Sequence, residues 1–128
     1  MVATLRKRLA HDEGGFTLIE LLVVLVIIGI LLAIAVPSYL GFKDRANKRA
    51  AAADVRAAIP TAEAFYSDNN TYAGMTTAAM KAIDSGLSTA LLAPSGLSTT
   101  AYCLSATVGG FTYHASGPGG VVTSGACP

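Results

Sequence analysis

Gly14-Gly15-Phe16-Thr17-Leu18-Ile19-Glu20-Leu21 opens an apolar run of 21 residues that extends from Phe16 to Val36. Glu20 is the only ionisable side chain within that run. A helix needs about 20 predominantly apolar residues to span a bilayer, so this run is long enough to do so. A carboxylate inside such a segment costs up to about 3 kcal/mol near the middle and usually has both a partner and a function. The stretch therefore predicts a membrane-spanning helix and singles out Glu20.

The residues upstream are polar and partly basic. Arg6-Lys7-Arg8 is followed by His11-Asp12-Glu13-Gly14-Gly15, and then by the apolar run. The whole block, with the motif GFTLIEL, resembles the N-terminus of a type IV prepilin. This motif is far more specific than a lone glycine pattern, and the resemblance is strongest over residues 14–42.

The resemblance implies how the N-terminus is processed and used. Residues 1–15 are expected to be a cytoplasmic leader, removed by a prepilin peptidase that cuts between Gly15 and Phe16 and methylates the new amine of Phe16. Glu20 is expected to help a subunit join a filament. Residues 16–42 would then be the transmembrane and polymerisation helix.

An ordinary secretory signal is the competing interpretation of the same residues. Arg6 to Arg8 would be its basic region, Leu21 to Val36 its apolar core, and Ala33-Ile34-Ala35 its cleavage site. The mature chain would then be a secreted soluble binding module cut after Ala35. This interpretation leaves unexplained the long polar gap before the apolar core and the glutamate that precedes that core.

Two residues predict weak points in the long helix. Pro37 removes one backbone hydrogen bond and bends a helix without necessarily ending it, and Gly29 is a second weak position. Gly29 to Pro37 is therefore the predicted kink, where the helix could unwind locally when it leaves lipid. The resemblance implies the same, since pilins are thought to melt here during assembly.

Beyond Pro37 the helix becomes amphipathic. One apolar stripe at spacings of i, i+4, i+7 and i+11 is formed by Val55, Ile59, Ala62 and Tyr66. Pro60 lies beside this stripe and predicts a second kink or a short break. The helix is expected to end near Ser67 to Asn70, because these four residues favour turns.

The rest of the chain is predicted to be a loop region, residues 70–100, and a β-meander, residues 101–127. The loop region contains a short helix at Thr77 to Ile83, capped by Thr76 or Thr77, and a loop at Pro94 to Gly96. In the meander, Gly109-Gly110 makes a hairpin that pairs Val108 with Phe111 and Ala106 with Tyr113. A turn at residues 117–120 leads to a third strand at residues 121–123.

These elements predict an α+β fold, in which a long kinked N-terminal helix packs against a small antiparallel β-meander. The transmembrane half of the helix is separate from a head domain, residues 43–128, that contains its amphipathic half. The sheet and the helix stripe need each other, because neither can bury its apolar face alone. The sheet residues expected to face the stripe are Tyr102, Leu104, Ala106, Val108, Phe111, Tyr113 and Ala115.

The two cysteines, Cys103 and Cys127, both lie near the C-terminus. Two cysteines in an exported segment predict one disulfide in an oxidising compartment, the alternative being two unrelated buried thiols. A bridge that closes a loop of this size contributes about 3–4 kcal/mol in the loop-entropy model. A small head with little core needs such a cross-link.

The charge distribution limits the possible partners. The formal net charge is +1, and removal of residues 1–15 leaves six basic and six acidic side chains. A nearly neutral chain lacks the basic footprint of a nucleic-acid-binding protein, so no specific nucleic-acid site is predicted. Four basic residues follow the apolar run closely, either as a solvated helix face or as contacts to lipid headgroups: Lys43, Arg45, Lys48 and Arg49.

The sequence offers no catalytic constellation. No charged residue follows Asp84, and His114, the only histidine after residue 15, is predicted to face away from the core. No nucleophile–base pair, phosphate-binding glycine loop or metal-ligand cluster can be assembled. The chain is therefore predicted not to be an enzyme and to bind no cofactor or metal.

The resemblance implies a structural function. The chain would be the subunit of a homo-oligomeric type IV pilus filament, made as a prepilin and held in the cytoplasmic (inner) membrane by a single pass. It would contact membrane lipid, the peptidase and methyltransferase, and the pilus assembly machinery before becoming part of an extracellular filament.

The same resemblance leaves two alternatives to a major pilus subunit. One is a pseudopilin of type II secretion, and the other is a minor or competence pilin. Residues 65–72 resemble the segment that ends the long helix in both pilins and major pseudopilins. Many major pseudopilins bind calcium through acidic side chains in a C-terminal loop, and calcium favours carboxylate oxygens. The region after Asp84 has no carboxylate side chain and has a predicted disulfide, which is more similar to a pilin.

Overall fold

The computed structural model describes residues 15–128, so most of the predicted leader lies outside the described residues. The elements occur in the order α1 (Leu18–Asn69), α2 (Thr77–Ile83), β1 (Tyr102–Val108), β2 (Phe111–Gly117) and β3 (Thr123–Ser124). Two compact units are present, with the division between Leu40 and Gly41. A long helix and a small antiparallel sheet confirm the predicted α+β fold.

Helix α1 continues without interruption from Leu18 to Asn69. It passes through both Pro37 and Pro60, so the short break predicted as one outcome at Pro60 is absent. A proline at this position leaves the carbonyl of Arg56 without its helical partner. Pro60 and Arg56 are both exposed, so water can bind the freed carbonyl and the helix is not forced to end.

The second half of α1 buries one narrow stripe of small residues. Ala51, Val55, Ala58 and Ala62 repeat at the predicted spacing and are fully buried. Ile59 and Tyr66 of the predicted stripe are only partly buried at its border. The helix ends where predicted, because Asn70 adopts a left-handed conformation (φ 55°) and its N–H bonds to the carbonyl of Tyr66 at 2.7 Å.

The short helix α2 begins at the predicted cap. The Thr76 hydroxyl oxygen accepts a hydrogen bond from the backbone N–H of Ala79 at 3.1 Å. This satisfies one of the donors that a helix N-terminus leaves free. The helix contributes one fully buried side chain, Met80, to the core.

The hairpin has the predicted register. Val108 pairs with Phe111 and Ala106 with Tyr113, in a three-stranded antiparallel sheet of order β1-β2-β3. A side chain at Gly109 would collide with Asn47 of α1, and the φ of +57° there also favours glycine. The third strand is Thr123–Ser124 rather than residues 121–123, because pairing resumes only opposite Tyr113 and His114.

The segment from Ala90 to Ser95 was predicted as part of a loop region, yet it lies along the free edge of β1. The N–H of Leu92 donates to the carbonyl of Ser105 at 2.8 Å, and Ser95 and Cys103 exchange two backbone hydrogen bonds. Cys103 and Ser105, which alternate along β1 with the residues of the core, are also buried. Pro94 lacks an N–H and keeps the pairing too irregular to form a strand.

One core joins helix α1, helix α2, the intervening loops and the sheet. Its members are Val55, Ala58, Ala62, Tyr72, Met75, Met80, Leu87, Leu91, Tyr102, Leu104, Ala106 and Ala115. Four of the seven sheet residues predicted to face the helix are therefore fully buried. Val108, Phe111 and Tyr113 lie at its margin and are partly exposed.

A polar cluster lies at the end of α1, where Glu63 accepts two tyrosine hydroxyls. Tyr72 donates to Oε2 and Tyr102 donates to Oε1, each at 2.9 Å. The rings of Tyr66 and Tyr72 lie 4.7 Å apart, and those of Tyr72 and Tyr102 lie 4.6 Å apart. Glu63 thus connects the helix to the loop that follows it and to the first strand.

This cluster changes the ionisation of two tyrosines. Burial, followed by the hydrogen bond to the Glu63 carboxylate, raises the pKa of Tyr72 to about 12. The same causes, in the same order, raise the pKa of Tyr102. Both hydroxyls must stay protonated to donate to a carboxylate, so ionisation of either would place two negative charges in contact.

Cys103 and Cys127 form a disulfide with a Cα–Cα distance of 5.9 Å. The bond joins the buried strand β1 to the penultimate residue of the chain, across 24 residues. It confirms the predicted pairing. The chain after β3 has few buried side chains, so the bond holds this segment against the sheet.

We predict that the head domain loses stability between pH 10 and about pH 12. The unfolded chain releases the Tyr72 proton near 10, whereas the folded chain holds it until about 12. The stabilisation is therefore complete below pH 10 and is lost as the pH rises through that window. Tyr72→Phe should cost about 1.5–3 kcal/mol at neutral pH and make the alkaline loss shallower, as measured by urea unfolding of the full chain in detergent. An unchanged alkaline slope in Tyr72→Phe, or the same change in the exposed Tyr39→Phe control, would contradict the assignment.

We also predict that Cys127→Ser lowers the free energy of unfolding of the head by about 3 kcal/mol. Membrane insertion of α1 should be unaffected, because the bond lies entirely within the head. Urea unfolding measures the first effect and carbonate extraction the second. Free thiols in protein isolated from the cell surface under non-reducing conditions would show that the disulfide does not form there.

Candidate functional site

The first turn of α1 is closed by a reciprocal pair, Thr17 and Glu20. The backbone N–H of Thr17 donates to Glu20 Oε2 at 3.2 Å, and the backbone N–H of Glu20 donates to Thr17 Oγ1 at 3.3 Å. This is a capping box, in which two donors of the helix N-terminus are satisfied by side chains three positions apart in the motif T-x-x-E. Glu20 therefore has a partner within its own chain.

The capping role of Thr17 was missed in the sequence analysis, although its signal was present. Thr17 precedes the apolar run and is followed three residues later by Glu20, which is the usual pattern of a helix start. The pair also places a negative charge at the positive end of the helix, where it is favourable. Glu20 thus has a structural role as part of the helix cap. An experiment on its role in assembly has to separate the two roles.

The residues of the predicted cleavage site lie outside the helix. Gly15, Phe16 and Thr17 precede the first helical residue, and the Phe16 side chain is 90% exposed. Nothing else in the described chain lies within 4 Å of the position of a side chain at Gly15. The peptide bond between Gly15 and Phe16 is therefore accessible, although its cleavage and the methylation of Phe16 remain predictions.

The first half of α1 exposes an apolar surface on all sides. Every large apolar side chain from Leu18 to Phe42 is between 46% and 85% exposed. The helix is long and apolar enough to cross a membrane, and none of that apolar window is buried. Gly29 and Pro37 lie within this continuous helix, so local unwinding between them remains a prediction about the assembled state.

A basic cleft lies between the second half of α1 and the hairpin. It has a volume of about 420 Å³ and is lined by Lys48, Arg49, Ala52, Arg56 and Tyr113. The Lys48 ammonium lies 4.9 Å from the centre of the Phe111 ring, a cation–π contact. Ala52 is the one lining residue without a polar side chain.

His114 has structural partners within the sheet. One ring nitrogen of His114, Nδ1, lies 2.9 Å from the Gly125 carbonyl oxygen, and the other lies 3.4 Å from the Thr123 hydroxyl. His114 therefore connects β2 to β3. Within residues 15–128, no group of three or more His, Cys, Asp or Glu residues is arranged to hold a metal ion.

Comparison with known proteins identifies the N-terminal segment. A family model described as the prokaryotic N-terminal methylation motif matches residues 11–36, which include Gly15, Phe16, Glu20 and Gly29. This segment is about a fifth of the chain. No solved structure matches the chain significantly.

The curated relatives match about half of the chain. The type II secretion system core protein G of Escherichia coli is 38% identical over 65 residues, 51% of this chain and 45% of that protein. The type IV major pilin protein PilA of Myxococcus xanthus is 41% identical over 66 residues, 52% of this chain and 30% of that protein. A type IV wide pilus major component of Thermus thermophilus is 42% identical over 62 residues, 48% of this chain and 47% of that protein.

These matches confirm the resemblance on which the sequence analysis rests. The chain has the N-terminal methylation motif, and its homologues are type IV pilins and type II secretion core proteins. The matched parts span less than half the length of these relatives. The relatives are structural subunits, which agrees with the prediction that the chain is not an enzyme.

Proposed function

We propose that this chain is the structural subunit of a type IV pilus filament. The observation that carries the proposal is the first half of α1, where large apolar side chains are exposed on every side and the helix N-terminus is capped by Thr17 and Glu20. A helix that is apolar all round needs to be covered, either by lipid or by other helices. The pilins among the homologues support the second kind of cover in the assembled state.

In the proposed function, the apolar surface of the first half of α1 has two successive environments. In the cytoplasmic membrane, the helix is solvated by lipid and stores the subunit as a single-pass protein. In the filament, the helices of many copies pack together and cover one another. Apolar area removed from water contributes about 25 cal/mol per Å², so a bundle of such helices is stable outside the membrane without any covalent bond between subunits.

We further propose that Glu20 selects the position of each incoming subunit. Cleavage after Gly15 gives Phe16 a free amine, which is protonated at neutral pH because such groups titrate near ~8 in water, and methylation preserves that charge. In the isolated chain the Glu20 carboxylate accepts the N–H of Thr17. In the filament, the Phe16 amine of one subunit would pair with Glu20 of its neighbour, so that neither charge is left alone among apolar side chains.

The cycle defines the partners of the chain. A prepilin peptidase and methyltransferase acts at the Gly15–Phe16 bond, the pilus assembly machinery extracts the subunit from lipid, and the remaining contacts are with other copies. The accessible position of Phe16 outside the helix supports cleavage before assembly. The mature protein is then found first in the inner membrane and later in the extracellular filament.

A second candidate function is that of a type II secretion pseudopilin. The observation in its favour is the similarity to the Escherichia coli core protein G. The absence of charged side chains after Asp84 and the disulfide between Cys103 and Cys127 favour the pilus instead. Deletion of the gene separates the two: loss of surface filaments that contain this chain supports the pilus, and loss of protein secretion with filaments intact supports the pseudopilus. A minor or competence pilin would be present in filaments only as a small fraction of their mass.

We predict that the mature chain begins at a methylated Phe16. Intact-mass measurement of the membrane-bound and filament forms should give the mass of residues 16–128 plus one methyl group, less the two hydrogens lost in the Cys103–Cys127 disulfide. Gly15→Leu should accumulate as the uncleaved precursor, because a bulky side chain blocks the bond. Gly41→Leu is the matched control, since Gly41 lies inside the helix and the variant should be cleaved normally. A mature chain that starts at Val36 would establish the secretory signal and contradict the filament proposal.

We predict that filament assembly requires the charge of Glu20 and not only its capping hydrogen bond. Glutamine also serves at the third position of a capping box, so Glu20→Gln keeps the cap and removes the charge, whereas Glu20→Leu removes both. Both variants should be cleaved and inserted normally but should lose surface filaments, as counted by electron microscopy.

The matched control for this experiment is Thr17→Val, which removes the capping hydroxyl and leaves the charge of Glu20. It should assemble. If Glu20→Gln assembles as well as the parent, the pairing with the Phe16 amine is wrong. If Thr17→Val and Glu20→Leu fail together while Glu20→Gln assembles, the capping box alone is what assembly needs.

A further inference from the structure

The charges of the head domain are segregated along the chain. Within residues 41–128 there are six basic side chains, five of which lie between positions 43 and 56 of α1. Three of these five line the basic cleft, namely Lys48, Arg49 and Arg56. All three are exposed, and the part of the chain that the structure describes contains no carboxylate within ion-pair distance of them. The cleft therefore presents positive charge that the head does not itself neutralise.

Most acidic side chains of the head already accept hydrogen bonds within their own chain. Asp54 accepts the Ser88 hydroxyl at 3.0 Å, and Glu63 accepts two tyrosine hydroxyls. Asp84 accepts the N–H of Gly86 at 2.9 Å. Asp44 lies in the basic segment of α1, directly between Lys43 and Arg45 in sequence. That leaves Asp68, which like Asp44 is exposed and has no hydrogen-bond partner among the described residues, but which, unlike Asp44, has no basic neighbour in sequence.

The position of Asp68 makes its charge unfavourable within its own chain. It lies in the last turn of α1, and that turn contains no basic residue. The C-terminal end of a helix carries a partial negative charge from its unpaired carbonyls, so a carboxylate there is repelled rather than stabilised. Asp68 and the helix end together form a negative pole that a cation from elsewhere would neutralise.

Asp68 cannot reach the cleft of its own chain. It is 12 residues from Arg56 on one continuous helix, which corresponds to about 18 Å at 1.5 Å per residue. Because the two oppositely charged patches cannot meet within one chain, a second copy of the chain can supply the partner of each, and such a contact sets the orientation of the copies more than their affinity. Such a contact joins two different surfaces, and when the rotation between copies does not close into a ring it repeats from copy to copy as an open helical polymer.

We propose that the basic cleft of Lys48, Arg49, Arg56 and Tyr113 is an inter-subunit site that accepts the Asp68 end of α1 from a second copy of this chain. The proposal rests on the proposed filament function and specifies a contact between the head domains of two neighbouring subunits in that filament. The carboxylate of Asp68 lies among the three cations, and the Tyr113 ring forms one wall. The two helices are then offset along their axes by about 24 Å, the distance from Ala52 to Asp68 on one helix.

Charge reversal on each side of the contact tests the site. Arg49→Glu with Arg56→Glu should reduce the number of surface filaments about ten-fold or more, because like charges then face each other across the contact. Asp68→Arg should do the same. The three changes together should restore filaments to within about two-fold of the parent, because the charges are again opposite.

The control for these variants is Lys81→Glu, a single charge reversal at an exposed position of α2 outside the cleft. It should assemble as the parent does. Membrane levels of each variant, measured by immunoblot, and formation of the Cys103–Cys127 bond show that the heads fold. Normal assembly of either reversed variant, or failure of the combined variant to recover, would overturn the site. Loss of filaments in the cleft variant alone would mean that the cleft binds something other than Asp68, which also overturns it.

A cross-linking experiment tests the contact in any polymer that the chain forms. Full-length chains with Arg56→Cys and full-length chains with Asp68→Cys are co-expressed, and intact filaments are treated with a bis-maleimide cross-linker, because an Arg–Asp pair can hold its Cα atoms beyond the reach of a disulfide. Mass spectrometry should find a peptide pair that joins positions 56 and 68 of different chains, and no pair between positions 81 and 68 when Lys81→Cys replaces Arg56→Cys. A polymer without the 56–68 pair contradicts this site and leaves the filament function standing. A parent chain that forms no polymer overturns both.

Discussion

The apolar surface of the first half of α1 is the constraint on which the whole account depends. From Leu18 to Phe42 the helix exposes large apolar side chains in every direction. Removal of such a surface from water is favoured by about 25 cal/mol per Å². The surface will therefore not stay exposed to water in the cell. The described residues do not cover it, and the cover has to come from lipid or from other polypeptides. A subunit that passes from one cover to the other satisfies the constraint at each stage.

The head domain is stable for reasons that are independent of that surface. Its core is built on a stripe of small residues in α1, and the near side of β1 packs into the same core. Glu63 accepts hydrogen bonds from the hydroxyls of Tyr72 and Tyr102, which connects α1 to the loop that follows it and to β1, 39 residues away. The disulfide from Cys103 then holds the C-terminal segment. A head with its own core can keep its structure while the surroundings of the apolar helix change.

Much of the fold could be predicted because its signals are local. The end of α1 follows from four turn-forming residues, the α2 cap from Thr76, and the hairpin register from the pair Gly109-Gly110 between alternating apolar positions. The disulfide followed from the presence of only two cysteines in an exported segment. The N-terminal motif predicted the relatives that the comparisons then found.

The features that were missed depend on contacts distant in sequence or on competing rules. The hydrogen bond between Tyr102 and Glu63 spans 39 residues, and no periodicity indicates it. The segment at residues 90–95 pairs with β1 although Pro94 argues against a strand. Pro60 predicted a second kink or a short break, and the break is absent because the freed carbonyl is exposed to water and the helix continues. The roles of Gly15, Phe16 and Glu20 in processing and assembly were inferred from resemblance and remain proposals.

The most direct test of the central claim is a cryo-electron microscopy reconstruction of filaments sheared from cells that express this chain. The account predicts that residues 18–42 of many copies lie together at the filament axis, with their apolar side chains covered by one another, and that the heads form the outer surface. Filaments whose subunits lack this helix, or in which the helix lies at the solvent-facing surface, would contradict it.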